Sequence, residues 1–227
     1  MESQGVVLTN IANLFSEPDI TTELVTQAIV GTSLTIEQST GGWHYVRLPD
    51  RYHGWIKARH VRAYSSDEAP YASTGPVAEV QSLLAFLYHQ PDNTSRAPAT
   101  QVTLGARLAI AEDRGERVRL VLPDGRELWV RRGDVILLEE NSPRPRGTVQ
   151  QILDTARRFL GLPYMWGGTT PLGIDCSGFV QLTHRLHGVF LLRDANIQYT
   201  QEGLLPVERQ ELEPGDLIFF GRKAITH

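Results

Sequence analysis

The chain of 227 residues carries one cysteine, Cys176, inside the run Gly173-Ile174-Asp175-Cys176-Ser177-Gly178-Phe179. A single thiol forms no internal disulfide and supplies no Cys-rich zinc site, so it is either a buried structural thiol or a reactive one. The residues after it read as a helix: Phe179, Leu182, Thr183 and Leu186 fall on one helical face, and Gly188 can end it. Asp175 then stands at or beside the N-cap, and the thiol sits in the first turn. Unpaired backbone N–H groups and the positive end of the helix dipole favour an anion at that place. A thiolate there is a nucleophile, and the same N–H groups can receive the oxyanion of an acyl-transfer intermediate. The plain alternative is a small buried hydrophobe at a helix start. His184 and His187 could in principle share a metal on this helix. No carboxylate or third ligand stands at suitable spacing, so a solvated helix face is the expectation. His44, His53, His60 and His89 are isolated and carry no signal.

The elements that position the cysteine begin after the charged, proline-bearing stretch Glu139 to Arg146, which reads as a domain boundary. Beyond it Val149, Ile152, Leu153, Ala156, Phe159 and Leu160 recur at helical spacing, with Thr148 as a plausible N-cap and Gly161 just past the end. Ahead of that boundary the chain repeats itself. Leu14-Phe-Ser-Glu-Pro-Asp19 is echoed by Leu87-Tyr-His-Gln-Pro-Asp92, Thr26–Gly31 by Thr100–Gly105, Leu48-Pro-Asp50 by Leu122-Pro-Asp124, and Trp55 by Trp129 74 positions later. Each copy alternates apolar and polar residues over short runs broken by Gly-Gly and Pro-Asp turns. Five or six short strands in so little chain suit a small barrel. Ser65 to Pro70 reads as a polar linker between the copies.

Composition excludes several classes. Apolar residues make up 41% and charged residues 21%, which rules out wholesale disorder, and a net charge of −4 with a pI near 6.0 argues against a nucleic-acid footprint or a membrane-surface patch. No stretch approaches the roughly 18 consecutive apolar residues of a membrane span. The start, MESQGVVLTN, has no basic n-region and no apolar h-region, so a soluble, cytoplasmic protein is expected. A chain from which a signal had been removed would look the same and would be extracytoplasmic.

The run Pro163-Tyr-Met-Trp-Gly-Gly168, the Gly-Ile-Asp-Cys-Ser-Gly-Phe run, Leu191–Gln198, Leu212–Phe220 and the closing Ile225-Thr-His227 resemble, in order and spacing, the NlpC-type cell-wall cysteine peptidases. These are similar to papain in catalytic logic. The two preceding copies resemble bacterial SH3-like domains, and the whole arrangement resembles the γ-D-glutamyl-L-diamino-acid endopeptidases that trim murein peptides. The resemblance implies a multidomain fold: two small all-β SH3-like barrels, 1–66 and 77–140, followed by a papain-like α+β catalytic domain, 147–227. It implies Cys176 as nucleophile, His227 as general base, and Tyr164 with its hydroxyl beside the nucleophile. It further implies Asp175, Ser177 and Asp194 as holders of the substrate's free amino end, while Trp166, Phe219 and Phe220 are expected in the core.

Glu23 and Tyr52 of the first copy become Ala97 and Arg126 in the second, so neither is required by the barrel itself. Both match positions where the endopeptidases place a carboxylate and a tyrosine over the cleft, which makes the first copy a specificity module. The implied partner is a murein peptide, L-Ala-γ-D-Glu-diamino acid, in wall-peptide recycling by a monomer, with no metal, organic cofactor, nucleic acid or membrane. A non-catalytic wall-binding protein, or an amidase or acyltransferase with the same Cys-His chemistry, are the alternatives. In the family the base is followed by further strands and by a polar residue that orients it. The chain stops at His227, so the catalytic domain is expected to be C-terminally incomplete and its turnover impaired.

Overall fold

The computed structural model describes residues 3–65, 67–92, 97–140, 144–221, 225 and 227. Two compact units divide the chain, Met1–Ser142 and Pro143–His227. Among the described residues no helix is long and apolar enough to cross a membrane.

The first unit contains the duplication. In the first copy β1 (Ser3–Val7), β2 (Ile11–Phe15), β3 (Leu24–Ile29), β4 (Ser33–Thr40), β5 (Trp43–Arg47), β6 (His53–Lys57) and β7 (Val61–Ala63) form one antiparallel sheet in the order β3-β2-β6-β5-β4-β1-β7. The second copy repeats them as β8 (Val77–Val80), β9 (Leu84–Leu87), β10 (Thr100–Thr103), β11 (Arg107–Asp113), β12 (Arg117–Val121), β13 (Glu127–Arg131) and β14 (Val135–Leu138). Here β13-β12-β11-β8-β14 form one sheet and β10-β9 another. A backbone bridge at Tyr88 and Trp129 joins the two sheets, as Phe15 and Trp55 join β2 to β6 in the first copy. Among the described residues, seven strands per copy exceed the five or six expected, because the short first and last strands of each copy, β1 with β7 and β8 with β14, pair with each other.

Alternation explains which face goes inside. Along β6 and along β12 the odd positions are half-buried and the even ones buried, so Ile56 and Gly54, or Val118 and Leu120, point inward. Each such aliphatic side chain removed from water contributes roughly 1.5–3 kcal/mol. The core of the second copy also takes in Ile29 and Val30 of the first, so the two barrels share apolar packing. Gly31 makes the close approach possible: its φ is +84° and a Cβ there would lie 2.4 Å from the Arg107 carbonyl oxygen.

The connection between the copies is not a loose tether. Tyr71 donates its hydroxyl to the Val121 carbonyl at 2.5 Å, accepts the Ala109 N–H at 3.0 Å, and gives its own N–H to the Tyr64 hydroxyl at 2.7 Å. Burial pushes the Tyr71 phenol up to about 12. Between pH 10 and 12 the unfolded chain therefore releases a proton that the native chain keeps, and stability falls as pH rises. Tyr71→Phe is expected to unfold at lower denaturant at neutral pH and to show a shallower loss of stability across that alkaline window, as read by urea titrations at several pH values.

The turns repeat as well. Tyr52 N–H donates to Asp50 Oδ1 and Arg126 N–H to Asp124 Oδ1, both at 3.1 Å. The residue between them is Gly125 at φ +85° in the second copy but Arg51 at φ +66° in the first. A side chain in the left-handed region costs about 1–2 kcal/mol, partly offset by the chain entropy that Gly loses. Arg51→Gly is therefore expected to stabilise the protein by roughly 0.5–1 kcal/mol, measured as a higher urea midpoint.

The second unit opens with α1 (Val149–Arg157), capped as its sequence indicates: Gln151 N–H donates to Thr148 Oγ1, and Thr148 N–H donates to Gln151 Oε1 at 2.8 Å. Only Ile152 of this helix is fully buried. Val149 and Leu160, placed on the apolar face by their spacing, are 44% and 82% exposed. Beyond Arg157 the backbone bonds shorten to Arg158→Thr155, Phe159→Ala156 and Leu160→Arg157. That tighter turn has three residues per turn, which brings Phe159 into the core and rotates Leu160 out of phase. Phe159 meets Phe179 edge-on at 5.7 Å, joining α1 to α2 (Cys176–Arg185). A two-residue ribbon, β15 (Thr169–Thr170) with β16 (Gly173–Ile174), precedes α2, and α3 (Ala195–Tyr199) follows it.

Candidate active site

Cys176 is the first residue of α2 and is half-buried. Asp175 is the N-cap, its Oδ1 accepting the Gly178 N–H at 2.7 Å, as the sequence indicates. The Pro163–Gly168 run packs directly against this helix start. Ile174 N–H bonds the Pro163 carbonyl, Met165 N–H bonds the Ile174 carbonyl, and Asp175 N–H bonds the Gly168 carbonyl at 3.1 Å. A Cβ on Gly178 would lie 2.4 Å from the Gly168 oxygen, and one on Gly168 would lie 2.3 Å from the Gly173 oxygen. Glycine at these positions is what lets the tyrosine-bearing loop reach the thiol.

Tyr164 stands in that loop, 59% exposed, with its hydroxyl in hydrogen-bonding reach of the Cys176 sulfur. Desolvation, then the negative charges available to Cys176 and Asp175, hold its phenol above the usual range, so the hydroxyl stays a donor toward the sulfur. His227 pairs through its backbone with Phe220, each N–H on the other's carbonyl at 2.8 and 3.2 Å. It lines a cavity of about 230 Å³ together with Cys176, Ser177, Gln198 and the segment Leu217–Phe220. Among the described residues no side chain hydrogen-bonds the His227 ring. Cys176 also lines a second cavity of about 300 Å³, together with Phe159, Leu162, Pro163, Tyr164 and Phe179.

The remaining candidates are placed as follows. Asp175 is 7% exposed, and both its oxygens are engaged: besides Gly178, Gly167 N–H reaches Oδ2 at 3.0 Å, and Arg193 donates to Oδ1 and Oδ2 at 3.0 and 2.5 Å. Ser177 Oγ lies 2.8 Å from Arg193 Nη1 and 3.3 Å from Asp175 Oδ1. A carboxylate offers about four lone-pair sites, and these donors occupy them. Asp194 is half-buried at the N-cap of α3, its carbonyl accepting Ile197 and Gln198 N–H, and it makes no side-chain cap. Glu23 is exposed just ahead of β3, and Tyr52 is half-buried just ahead of β6, both in the first unit. Trp166 and Phe220, expected in the core, are 59% and 62% exposed, and Phe219 is half-buried. His187 rests its ring on Thr155 Oγ1 at 2.8 Å, and His184 Nδ1 on the Val180 carbonyl. Among the described residues no group of three or more His, Cys, Asp and Glu could hold a metal.

Sequence reasoning missed Arg193 and Gln198, each 1% exposed. Gln198 donates to the Ser177 carbonyl at 3.2 Å and the Leu192 carbonyl at 2.8 Å, tying α3 to the nucleophile helix. Tyr199 beside it meets Phe219 edge-on at 5.5 Å, which carries the tie to the segment that pairs with His227. The available signal was a long polar residue closing each of two short runs, Phe190-Leu-Leu-Arg193 and Ala195-Asn-Ile-Gln198.

Two family profiles match: one described as the NlpC/P60 family over residues 161–227, and one described as the bacterial dipeptidyl-peptidase Sh3 domain over 14–61. Dipeptidyl-peptidase 6 of Lysinibacillus sphaericus is 32% identical over an alignment covering 95% of this chain and 81% of that one. The chain belongs to the NlpC/P60 family. The gamma-D-glutamyl-L-lysine dipeptidyl-peptidase of Bacillus cereus is 30% identical, with 90% of this chain and 63% of the relative covered. This chain thus spans less than two thirds of that relative's length. The crystal structure of an NlpC/P60 family protein from Bacillus cereus shares the fold, with a TM-score of 0.86 and 24% identity, covering 99% of this chain and 86% of that one. An SH3-like β region followed by an NlpC/P60 cysteine-peptidase unit is the architecture that these matches and the strand order show together.

Gln198→Leu removes both donors, so the Leu192 carbonyl loses its bond and the Ser177 carbonyl keeps only the bond of its own helix. The expected cost is about 1–3 kcal/mol, read from the urea midpoint of the variant.

Proposed function

We propose that this chain is a cysteine endopeptidase cutting the bond between γ-D-glutamate and a diamino acid in murein peptides whose L-alanine amino end is free. The observation that carries the reading is that Cys176, at a helix N-terminus, shares one cavity with His227 while the Tyr164 hydroxyl reaches its sulfur. The name of the Bacillus cereus relative, a gamma-D-glutamyl-L-lysine dipeptidyl-peptidase, supports the substrate class. In the reaction His227 takes the thiol proton and the thiolate attacks the γ-carbonyl of glutamate. The oxyanion is received by the backbone N–H at the helix start, the amine leaves with the proton from His227, and water cleaves the thioester. A peptide with a free amino end has already left its glycan, so the reaction belongs to the turnover of released peptides.

In this reading Glu23 and Tyr52 of the first barrel recognise the ammonium end of the substrate. Their replacement by Ala97 and Arg126 in the second copy supports a duty outside the barrel scaffold. An ammonium needs carboxylate or hydroxyl acceptors held at fixed positions.

Incubation of the protein with L-Ala-γ-D-Glu-diamino-acid peptides is expected to release L-Ala-γ-D-Glu, and Cys176→Ala to release none. Cleavage that survives in Cys176→Ala, or its absence with the folded wild type, removes the reading. Glu23→Ala is expected to raise KM roughly ten-fold for peptides with a free amino end, about the worth of one charge-assisted hydrogen bond. The kcat should change little, and an unchanged KM removes the specificity role.

A further inference from the structure

Asp175 and Ser177 flank Cys176 in sequence, and one buried guanidinium holds both. Arg193 Nη1 lies 3.0 Å from Asp175 Oδ1 and 2.8 Å from Ser177 Oγ, while Nη2 lies 2.5 Å from Asp175 Oδ2. Arg193 is 1% exposed and comes from the segment between α2 and α3. Capping α2 requires only an acceptor for the Gly178 N–H, and an exposed Asp or Asn does that without a partner. Here the cap is buried, which sets a carboxylate against the thiolate that the reaction needs, two like charges in adjoining residues. Arg193 neutralises that carboxylate, and its planar fork allows the carboxylate one orientation. The bond to Ser177 extends the same fork to the other side of the thiol.

We propose that Arg193 is a positioning residue for Cys176: its fork fixes the residues on both sides of the nucleophile, and through them the thiol and the backbone N–H at the helix start. The proposal rests on Cys176 being the nucleophile and not on which peptide is cut. Among the described residues the titratable and charged groups around the thiol are Asp175 on its own helix start, Tyr164 from the preceding loop, Arg193 from the segment after α2, and His227 across the cavity.

Alkylation of the single thiol by iodoacetamide, followed by intact mass from pH 5 to 9, reads Cys176 without any substrate. Arg193→Met is expected to move the midpoint of the alkylation curve up by about half a pH unit or more, because the carboxylate beside the thiol loses its counter-ion. Asp175→Asn/Arg193→Met leaves no lone buried charge and keeps a capping acceptor, so its midpoint returns to that of the wild type. Its turnover of L-Ala-γ-D-Glu-diamino-acid peptide stays roughly ten-fold down at a KM within about two-fold, since orientation is still lost. Arg193→Lys keeps the charge without the fork and shows the same split. An alkylation curve of folded Arg193→Met that superimposes on the wild type, or wild-type turnover in the double variant, overturns the proposal. Should Arg193→Met fail to fold, the double variant decides alone. Wild-type protein that cuts no murein peptide counts against the proposed substrate and leaves the alkylation curves to judge Arg193.

Discussion

Arg193 and Asp175 are both withdrawn from water at the start of α2, at 1% and 7% exposure, and the geometry of the second unit is arranged around keeping them satisfied. Removing two such charges from water costs several kcal/mol each, and their attraction offsets that only when the remaining donors and acceptors are also met. Here they are. The carboxylate takes Gly167 and Gly178 N–H in addition to the guanidinium, and the guanidinium reaches Ser177. These partners come from the loop before the helix, from its first turn and from the segment after it. One ion pair therefore joins the three pieces of chain that surround the thiol. The glycines follow from the same constraint: only without side chains at 168 and 178 can that loop lie close enough for its amide to find Asp175.

The first unit is held by a different kind of term. Its two barrels share apolar burial through Ile29 and Val30, and directional bonds from Tyr71 close the connection. The duplicated register shows which features a barrel needs. The tryptophan bridge, the Asp-capped turn and the left-handed glycine at 31 and 105 recur in both copies. Where the copies differ, the barrel is indifferent, and Arg51 shows that the first copy even tolerates a strained residue next to Tyr52.

What was legible in the sequence was whatever depends on near neighbours in the chain. Thr148 and Asp175 cap the helices their spacing marks, Gly161 and Gly188 take positive φ just beyond them, and the 74-residue offset reappears in strand pairing. These are local, one-turn or one-hairpin decisions. The Arg193–Asp175 pair spans 18 positions and exists only once α2 and the following segment are packed, so composition and spacing do not announce it. Leu160 is exposed, against its 3.6-residue spacing, because the backbone tightens beyond Arg157 and that period no longer applies. Trp166 and Phe220 differ for another reason: an aromatic ring in a motif reads as core, whereas Trp166 is exposed on the loop that carries Tyr164 and Phe220 lines the cavity of Cys176 and His227.

The nucleophile, its helix-start N–H, the Tyr164 hydroxyl and the buried ion pair are all supplied by residues 164–193, and Gln198 adds the tie to α3. Contacts within so short a stretch close small loops, and small loops cost little entropy to order. The nucleophile and the groups that hold its helix start therefore take shape within one short stretch of the second unit, and His227 reaches the same cavity from further along the chain. The order in which these parts form follows from that spacing: the ion pair and the Tyr164 loop close short loops around Cys176, and His227 closes a longer one.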